Sequence, residues 1–186
     1  MRIWINENDF DLDACVVALG MFDGVHVGHQ KLIRRALQLA KELGVACVVY
    51  TFSQHPISLL NPEKEPMQLI SVEEKVEKFR QMGVDGVMVR PFTQEFAQIE
   101  PLEYLKTLVE KMRVRGIVAG FNYTFGAFGR GDAAMIEEYA SKLGYRAEII
   151  QRVEVDHEVV SSTMIRGLVM NGNLERARKL LELQPE

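Results

Sequence analysis

Short runs of Val, Ile, Leu and Ala alternate along this chain with longer segments whose apolar residues recur every three or four positions. Near-continuous apolar runs fit strands buried on both faces, and the longer period fits helices with one apolar stripe. The first pair is a strand over residues 14–19 and a helix over 30–43, which ends at Gly44 as a left-handed C-cap would. A strand over 45–51 follows, then a helix opened by Ser71 and Glu74 as a capping box and closed at Gly83. The next strand covers 84–89. Pro101 suits the first turn of a helix running to Met112, residues 116–119 form another strand, and Asp132 caps a helix that stops at Gly144. A strand over 145–151 comes next, and two short helices over 162–170 and 173–183 close the chain, parted by Asn171-Gly172. The Pro-containing stretch 61–66 reads as an exposed loop. Strands and helices in this alternation predict an α/β fold, a doubly wound parallel sheet that binds ligands at the carboxyl ends of its strands.

Composition narrows the function. At 186 residues one core suffices, so a single domain over 1–186 is expected. With 47% hydrophobic and 26% charged residues, disordered, collagen-like and coiled-coil chains are excluded. A net charge of −4 offers no basic surface for nucleic acid or an anionic membrane, so any phosphate site must be local. The opening MRIWINENDFDLDAC carries Glu7, Asp9, Asp11 and Asp13 and no signal-peptide core, and no later run approaches about 18 apolar residues. A cytoplasmic location is therefore expected. Cys15 and Cys47, both in strand-like runs, read as buried thiols rather than as a disulfide or metal ligands.

The candidate chemistry sits in Gly20-Met-Phe-Asp-Gly-Val-His-Val-Gly-His-Gln30, between the first strand and the first helix. Gly24 and Gly28 are placed to turn the chain tightly, leaving helix-start N–H groups free for an anion. His26 and His29 flank Gly28, where an imidazole donates hydrogen bonds to a phosphate whose charge grows during substitution. Zinc held by these histidines and Asp23 would want a further strong ligand at suitable spacing, so no protein-bound metal is expected. Neither a GxxxxGK[ST] loop nor a Gly-rich dinucleotide fingerprint occurs, which removes P-loop and Rossmann-cofactor readings.

This segment, with His26-Val-Gly-His29, resembles the HxGH signature of the nucleotidylyltransferase superfamily, and Phe22-Asp-Gly-Val-His26 is its discriminating part. Its G-x-FDGVH-x-GHQ form is that of the FAD synthetase (FMN adenylyltransferase) module of bacterial bifunctional riboflavin kinase/FMN adenylyltransferases. The likeness continues in Thr51-Phe-Ser-Gln-His-Pro56, with Gln54 where the family usually carries Pro, and in 92–104 as a marker of the fold. It extends through Gly120-Phe-Asn-Tyr-Thr-Phe-Gly126, with Thr124 in place of the usual Arg and Arg130 as the nearest stand-in. Ser161-Ser-Thr-Met-Ile-Arg166 matches the family's SST-x-x-R, with Met164 where Arg or Lys is frequent. The resemblance implies a Rossmann-like HxGH fold with His26, His29 and Arg166 as catalytic residues. It further implies ATP contacts at Gly20, Phe22, Gly24, Gly28, Asn122, Ser162 and Thr163, FMN contacts at Asp23, Phe52, His55 and Phe125, and Mg²⁺ arriving with ATP.

The implied reaction moves AMP from ATP onto FMN and releases pyrophosphate. A phosphate monoester is mostly dianionic at neutral pH because its second pKa lies near 6, so no general base is required. In this family a flavokinase barrel commonly follows; the sequence ends at Glu186 before one could begin, so no riboflavin kinase activity is expected in this chain, which is either a stand-alone adenylyltransferase supplied with FMN by a separate riboflavin kinase or a fragment of a two-domain enzyme. Two alternatives stay open: a nucleotidylyltransferase of the same type acting on another phosphate ester, and a noncatalytic flavin or nucleotide binder.

Overall fold

Cys15-Val-Val-Ala-Leu19 has no polar side chain, and in a computed structural model describing residues 1–184 it becomes the inner strand β2 (Cys15–Leu19), fully buried along its length. Pro185 and Glu186, the end of the expected 1–186 domain, lie outside the described residues. The other strands of the main sheet are β1 (Arg2–Trp4), β3 (Ala46–Phe52), β4 (Gly86–Arg90), β5 (Val114–Gly120) and β6 (Arg146–Ile150). They lie in the order β1-β4-β3-β2-β5-β6, and every neighbouring pair is parallel. From β2 the chain winds outward through β3 to β4, then crosses back and winds the other way through β5 to β6. That reversal opens a crevice above β2 and β5, whose carboxyl ends lead to Gly20 and Gly120.

Helices cover both faces: α1 (Val27–Leu43) and α3 (Val72–Gln81) on one, α5 (Pro101–Lys111) and α6 (Ala133–Leu143) on the other. Alternation along the strands divides the core accordingly. Val16, Ala18, Val49 and Val118 meet Leu32, Ile33, Leu39 and Phe79, whereas Val17, Leu19, Tyr50 and Ile117 meet Leu105, Leu108 and Ile136. This two-sided burial is why the strands read as continuous apolar runs. Short helices α2 (Pro56–Leu60) and α4 (Gln94–Ala97) follow β3 and β4, a two-strand hairpin of β7 (Glu154–Val155) and β8 (Glu158–Val159) follows β6, and α7 (Ser162–Met170) and α8 (Leu174–Leu181) form a satellite cluster around Ile165 and Leu180.

The doubly wound parallel sheet is as the sequence pattern predicts, and the capping devices act where expected. Ser71 and Glu74 close the box at the start of α3, and Asp132 accepts from Met135 N–H at 2.9 Å. Two features differ. Strand β1 has only three residues, too few for a periodic signal, and is recruited by pairing with β4. Helix α1 starts at Val27 rather than Gln30, so Gly28 belongs to its first turn and does not turn the loop.

Candidate active site

The loop between β2 and α1 is held in unusual backbone geometry. Phe22 (φ 51°) and Val25 (φ 46°) are left-handed though not glycine, a state that costs about 1–3 kcal/mol each and persists only when neighbours enforce it. Thr51 Oγ1 and Lys75 Nζ both donate to the Met21 carbonyl at 2.9 Å, and Gln30 Nε2 donates to the Val25 carbonyl at 2.9 Å. Gln30 also binds the chain beyond α8, donating to Glu182 O at 2.8 Å and accepting from Gln184 N–H at 2.9 Å. Phe22, expected at the nucleotide, is a fully buried wedge: its ring meets His29 edge-on at 5.2 Å and Phe79 at 5.6 Å. Gly20 lies over it so closely that a Cβ would stand 2.9 Å from Phe22 Cζ.

At Gly24 (φ 86°) an added Cβ would reach 2.6 Å from Leu181 Cδ2. Gly24→Ala therefore combines a forbidden backbone with displacement of the end of α8, and should lower unfolding free energy by about 2 kcal/mol or more. Urea denaturation checks this; a loss below about 0.5 kcal/mol, the ordinary scatter of surface changes, would contradict it.

His26 caps α1, its Nδ1 accepting from His29 N–H at 3.4 Å, and its ring stacks on His29 with centroids 3.6 Å apart and planes 18° apart. Gly28 leaves room for that ring, since a Cβ there would lie 3.1 Å from His26 Cε1. Burial lowers the pKa of His26 from 6.5 to about 4, Asp23 only partly opposing it. His29 is held well below 6.5, by burial first and then by the charges of His26 and Lys75. Both are neutral at pH 7, so each offers one N–H; that of His26 is on Nε2, because Nδ1 accepts. His29 Nδ1 is buried without a hydrogen-bond partner.

A pH dependence of stability follows. With a folded pKa near 4 against 6.5 unfolded, His26 binds its proton more readily in the unfolded chain. Its contribution is complete above pH 6.5 and is lost as pH falls toward 4, up to about 3 kcal/mol. Melting temperature should fall over that window, and a His26→Asn variant should show a flatter profile.

Above the carboxyl ends of β2, β3 and β5 lies a cavity of about 860 Å³. Phe52, Phe92, Tyr123 and Phe125 are among its walls, and among the described residues no Asp, Glu, Lys or Arg lines it. Of the residues singled out from sequence, it gathers Gly20, Phe22, His29, Phe52, His55, Asn122 and Phe125; His26, Gly24, Gly28, Ser162, Thr163 and Arg166 lie outside its lining. A second pocket of about 80 Å³, which includes Asp23, Gln54 and Lys75, shares Met21, Phe52 and His55 with the first. His55 caps α2, accepting from Ile57 N–H at 3.2 Å through Nδ1. Gln54 donates to Phe92 O at 2.9 Å, tying the end of β3 to the chain after β4.

Asp23 is the knot of the charged side. Its carboxylate accepts from Leu69 N–H at 3.0 Å and pairs with Arg166 Nη2 at 2.6 Å, while its carbonyl accepts from Ser162 Oγ at 2.9 Å. Arg166 Nε also donates to Met67 O at 2.7 Å. The SST-x-x-R helix is thus fastened to the histidine loop, with Ser161 as its N-cap and Thr163 exposed. Arg130 does not stand in for the missing arginine at Thr124: it pairs with Glu100 at 2.6 Å and lies outside the cavity lining. Cys15 and Cys47 are buried free thiols, burial pushing the first up to about 12. Lys75, unremarked in the sequence reading, is buried at this site. The signal was present: it occupies the α3 stripe otherwise made by Val72, Val76 and Phe79.

Comparisons with known proteins bear on the family and the fold. The family model described as FAD synthetase matches residues 9–164. The bifunctional riboflavin kinase/FMN adenylyltransferase of Bacillus subtilis is 36% identical over 168 residues, 89% of this chain and 52% of that protein. A solved structure described as a macrolide-efflux protein from Streptococcus pneumoniae superposes with a TM-score of 0.83 at 32% identity, covering 96% of this chain and 59% of that one. Pantoate-beta-alanine ligase from Francisella tularensis shares the fold at 15% identity, with a TM-score of 0.58 over 98% of this chain and 78% of its own. No helix among the described residues is long and apolar enough to cross a membrane, and the efflux named for the Streptococcus protein stays with that protein. This chain spans about half the length of the bifunctional riboflavin kinase/FMN adenylyltransferases of Bacillus subtilis and Listeria monocytogenes. With its HxGH loop and SST-x-x-R helix joined through the Asp23–Arg166 pair and a family match over most of its length, the chain belongs to the FAD synthetase family.

Proposed function

We propose that this chain transfers the AMP of ATP to the phosphate of FMN, forming FAD and pyrophosphate. The observation that carries the reading is the cavity: large enough for a ring system, walled by aromatic side chains, lined by no Asp, Glu, Lys or Arg among the described residues, and bordered at one side by His29. An isoalloxazine ring suits such walls, and the phosphates belong toward the histidine pair and α7, where the polar groups are. Phe52, His55 and Phe125 are assigned to the flavin, Asn122 and the Gly20 backbone to the nucleotide, and Ser162, Thr163 and Arg166 to the pyrophosphate. Asp23 is assigned to holding Arg166 in place.

An oxygen of the FMN phosphate forms the new bond to the α-phosphorus of ATP. The bond from that phosphorus to the bridging oxygen breaks, and pyrophosphate leaves with the electron pair. His26 and His29 donate neutral N–H groups to the charge that builds on the α-phosphate, which asks only for positioning and charge stabilisation from the protein. Magnesium favours carboxylate and phosphate oxygens. The large cavity is lined by no carboxylate and Asp23 is paired with Arg166, so the ion is assigned to the phosphates of ATP itself. A cytoplasmic setting and a riboflavin kinase that supplies FMN complete the proposal.

The test is to incubate the purified chain with ATP, Mg²⁺ and FMN, and in parallel with riboflavin, and to separate the flavins by chromatography. FAD from FMN alone supports the reading. Pyrophosphate released only with another phosphate ester would move the acceptor, and ligand binding without pyrophosphate release would make the chain a binder.

A further inference from the structure

We infer that Lys75 is a positioning residue of this site, its ammonium fixing Phe22 and, through Phe22, the His29 ring by holding the Met21 carbonyl. Lys75 is 3% exposed, and its Nζ donates to Met21 O at 2.9 Å. That carbonyl belongs to the peptide leading into Phe22, whose left-handed backbone is stable only where its surroundings over-determine it. The second donor, Thr51 Oγ1, comes from β3, so the peptide is gripped from the sheet and from α3 at once. Phe22 then presents its ring to His29 at 5.2 Å, and Phe79, one turn beyond Lys75, closes on it from behind at 5.6 Å. A methionine would fill the same space without taking an ammonium out of water, and an ion in a core is costly unless its charge is used.

The charged and titratable neighbours agree. Asp23, His55 and Glu65 line the small pocket with Lys75, and Arg166 reaches it through Asp23. Burial lowers Lys75 to about 8, with Asp23 partly opposing it. Its charge in turn presses down on His29 and His55. Near pH 8 the grip on Met21 therefore loses its charge.

The kinetic part of this inference rests on the proposed adenylyl transfer; its core is read on the free protein. Histidine ring resonances of the wild type, Lys75→Met and Lys75→Arg are followed by NMR across pH, with His29 assigned from a His29→Ala sample. The expected wild-type result is a movement of the His29 signal with a midpoint near pH 8, reporting the lysine. In Lys75→Met that step is absent and the acid titration of His29 lies at higher pH; in Lys75→Arg the step moves beyond pH 9. In FAD synthesis, kcat of Lys75→Met should fall about tenfold to a hundredfold with KM within about threefold, and the alkaline limb near pH 8 should disappear. A folded Lys75→Met with unchanged His29 titration overturns the inference. Should that variant not fold, a wild-type His29 signal that is flat around pH 8 overturns it equally. Wild type that makes no FAD yet shows the NMR step sinks the proposed reaction and leaves the role of Lys75 standing.

Discussion

His29→Ala should lower the kcat of FAD formation by about 10²–10³, the range found when one preorganised donor to a developing charge is removed. His29 is the histidine of the pair that lines the cavity, and its Nδ1 is buried with nothing to bind. The neutral ring is a fixed donor whose hydrogen bond strengthens as charge builds on the α-phosphate, so the loss should fall on kcat more than on KM. Initial rates at saturating ATP and FMN measure this. A variant within about fivefold of wild type would place the charge stabilisation elsewhere, with His26 as the next residue to change.

Asp23→Ala should be the most destabilising single change at the site, by about 3 kcal/mol, since it strips the partner from a largely covered guanidinium. Arg166 and Asp23 side chains are only 14% and 9% exposed, and the same carboxylate holds the Leu69 N–H. Three segments meet there: the histidine loop, the chain approaching α3, and α7. Removing the knot frees all three, so the loss should exceed that of Asp23→Asn, which keeps an acceptor for Leu69. A double-mutant cycle with Arg166→Ala in urea gives the coupling directly. Additive losses would mean the pair is not coupled in solution, whereas an interaction above about 1 kcal/mol is expected for groups in direct contact.

What the sequence made legible follows from the range of the forces involved. Strand and helix identity is set by side-chain period and by caps within four residues, so Ser71, Asp132 and Gly144 marked their helix ends correctly. The histidine loop was legible because His26, Gly28 and His29 lie within one turn of each other, and the family resemblance rested on the same local strings. Where neighbours at long range decide, the reading faltered. Gly28 looked like a loop glycine, and only the cap made by His26 Nδ1 draws it into α1. Arg130 was a free cation in the string and an ion-pair partner of Glu100 in the fold.

By itself, then, the sequence determined the doubly wound parallel sheet, the family and the two histidines that face each other one helical turn apart, all consequences of short-range periodicity and of residue types packed into a few positions. Only the tertiary structure decided that Asp23 meets Arg166 across 143 positions, that Gln30 fastens the chain end beyond α8, and that Lys75 holds the Met21 carbonyl. Those partners are chosen by how α3, α7 and α8 settle against one loop, and packing of that kind depends on shapes and distances that no spacing along the chain records.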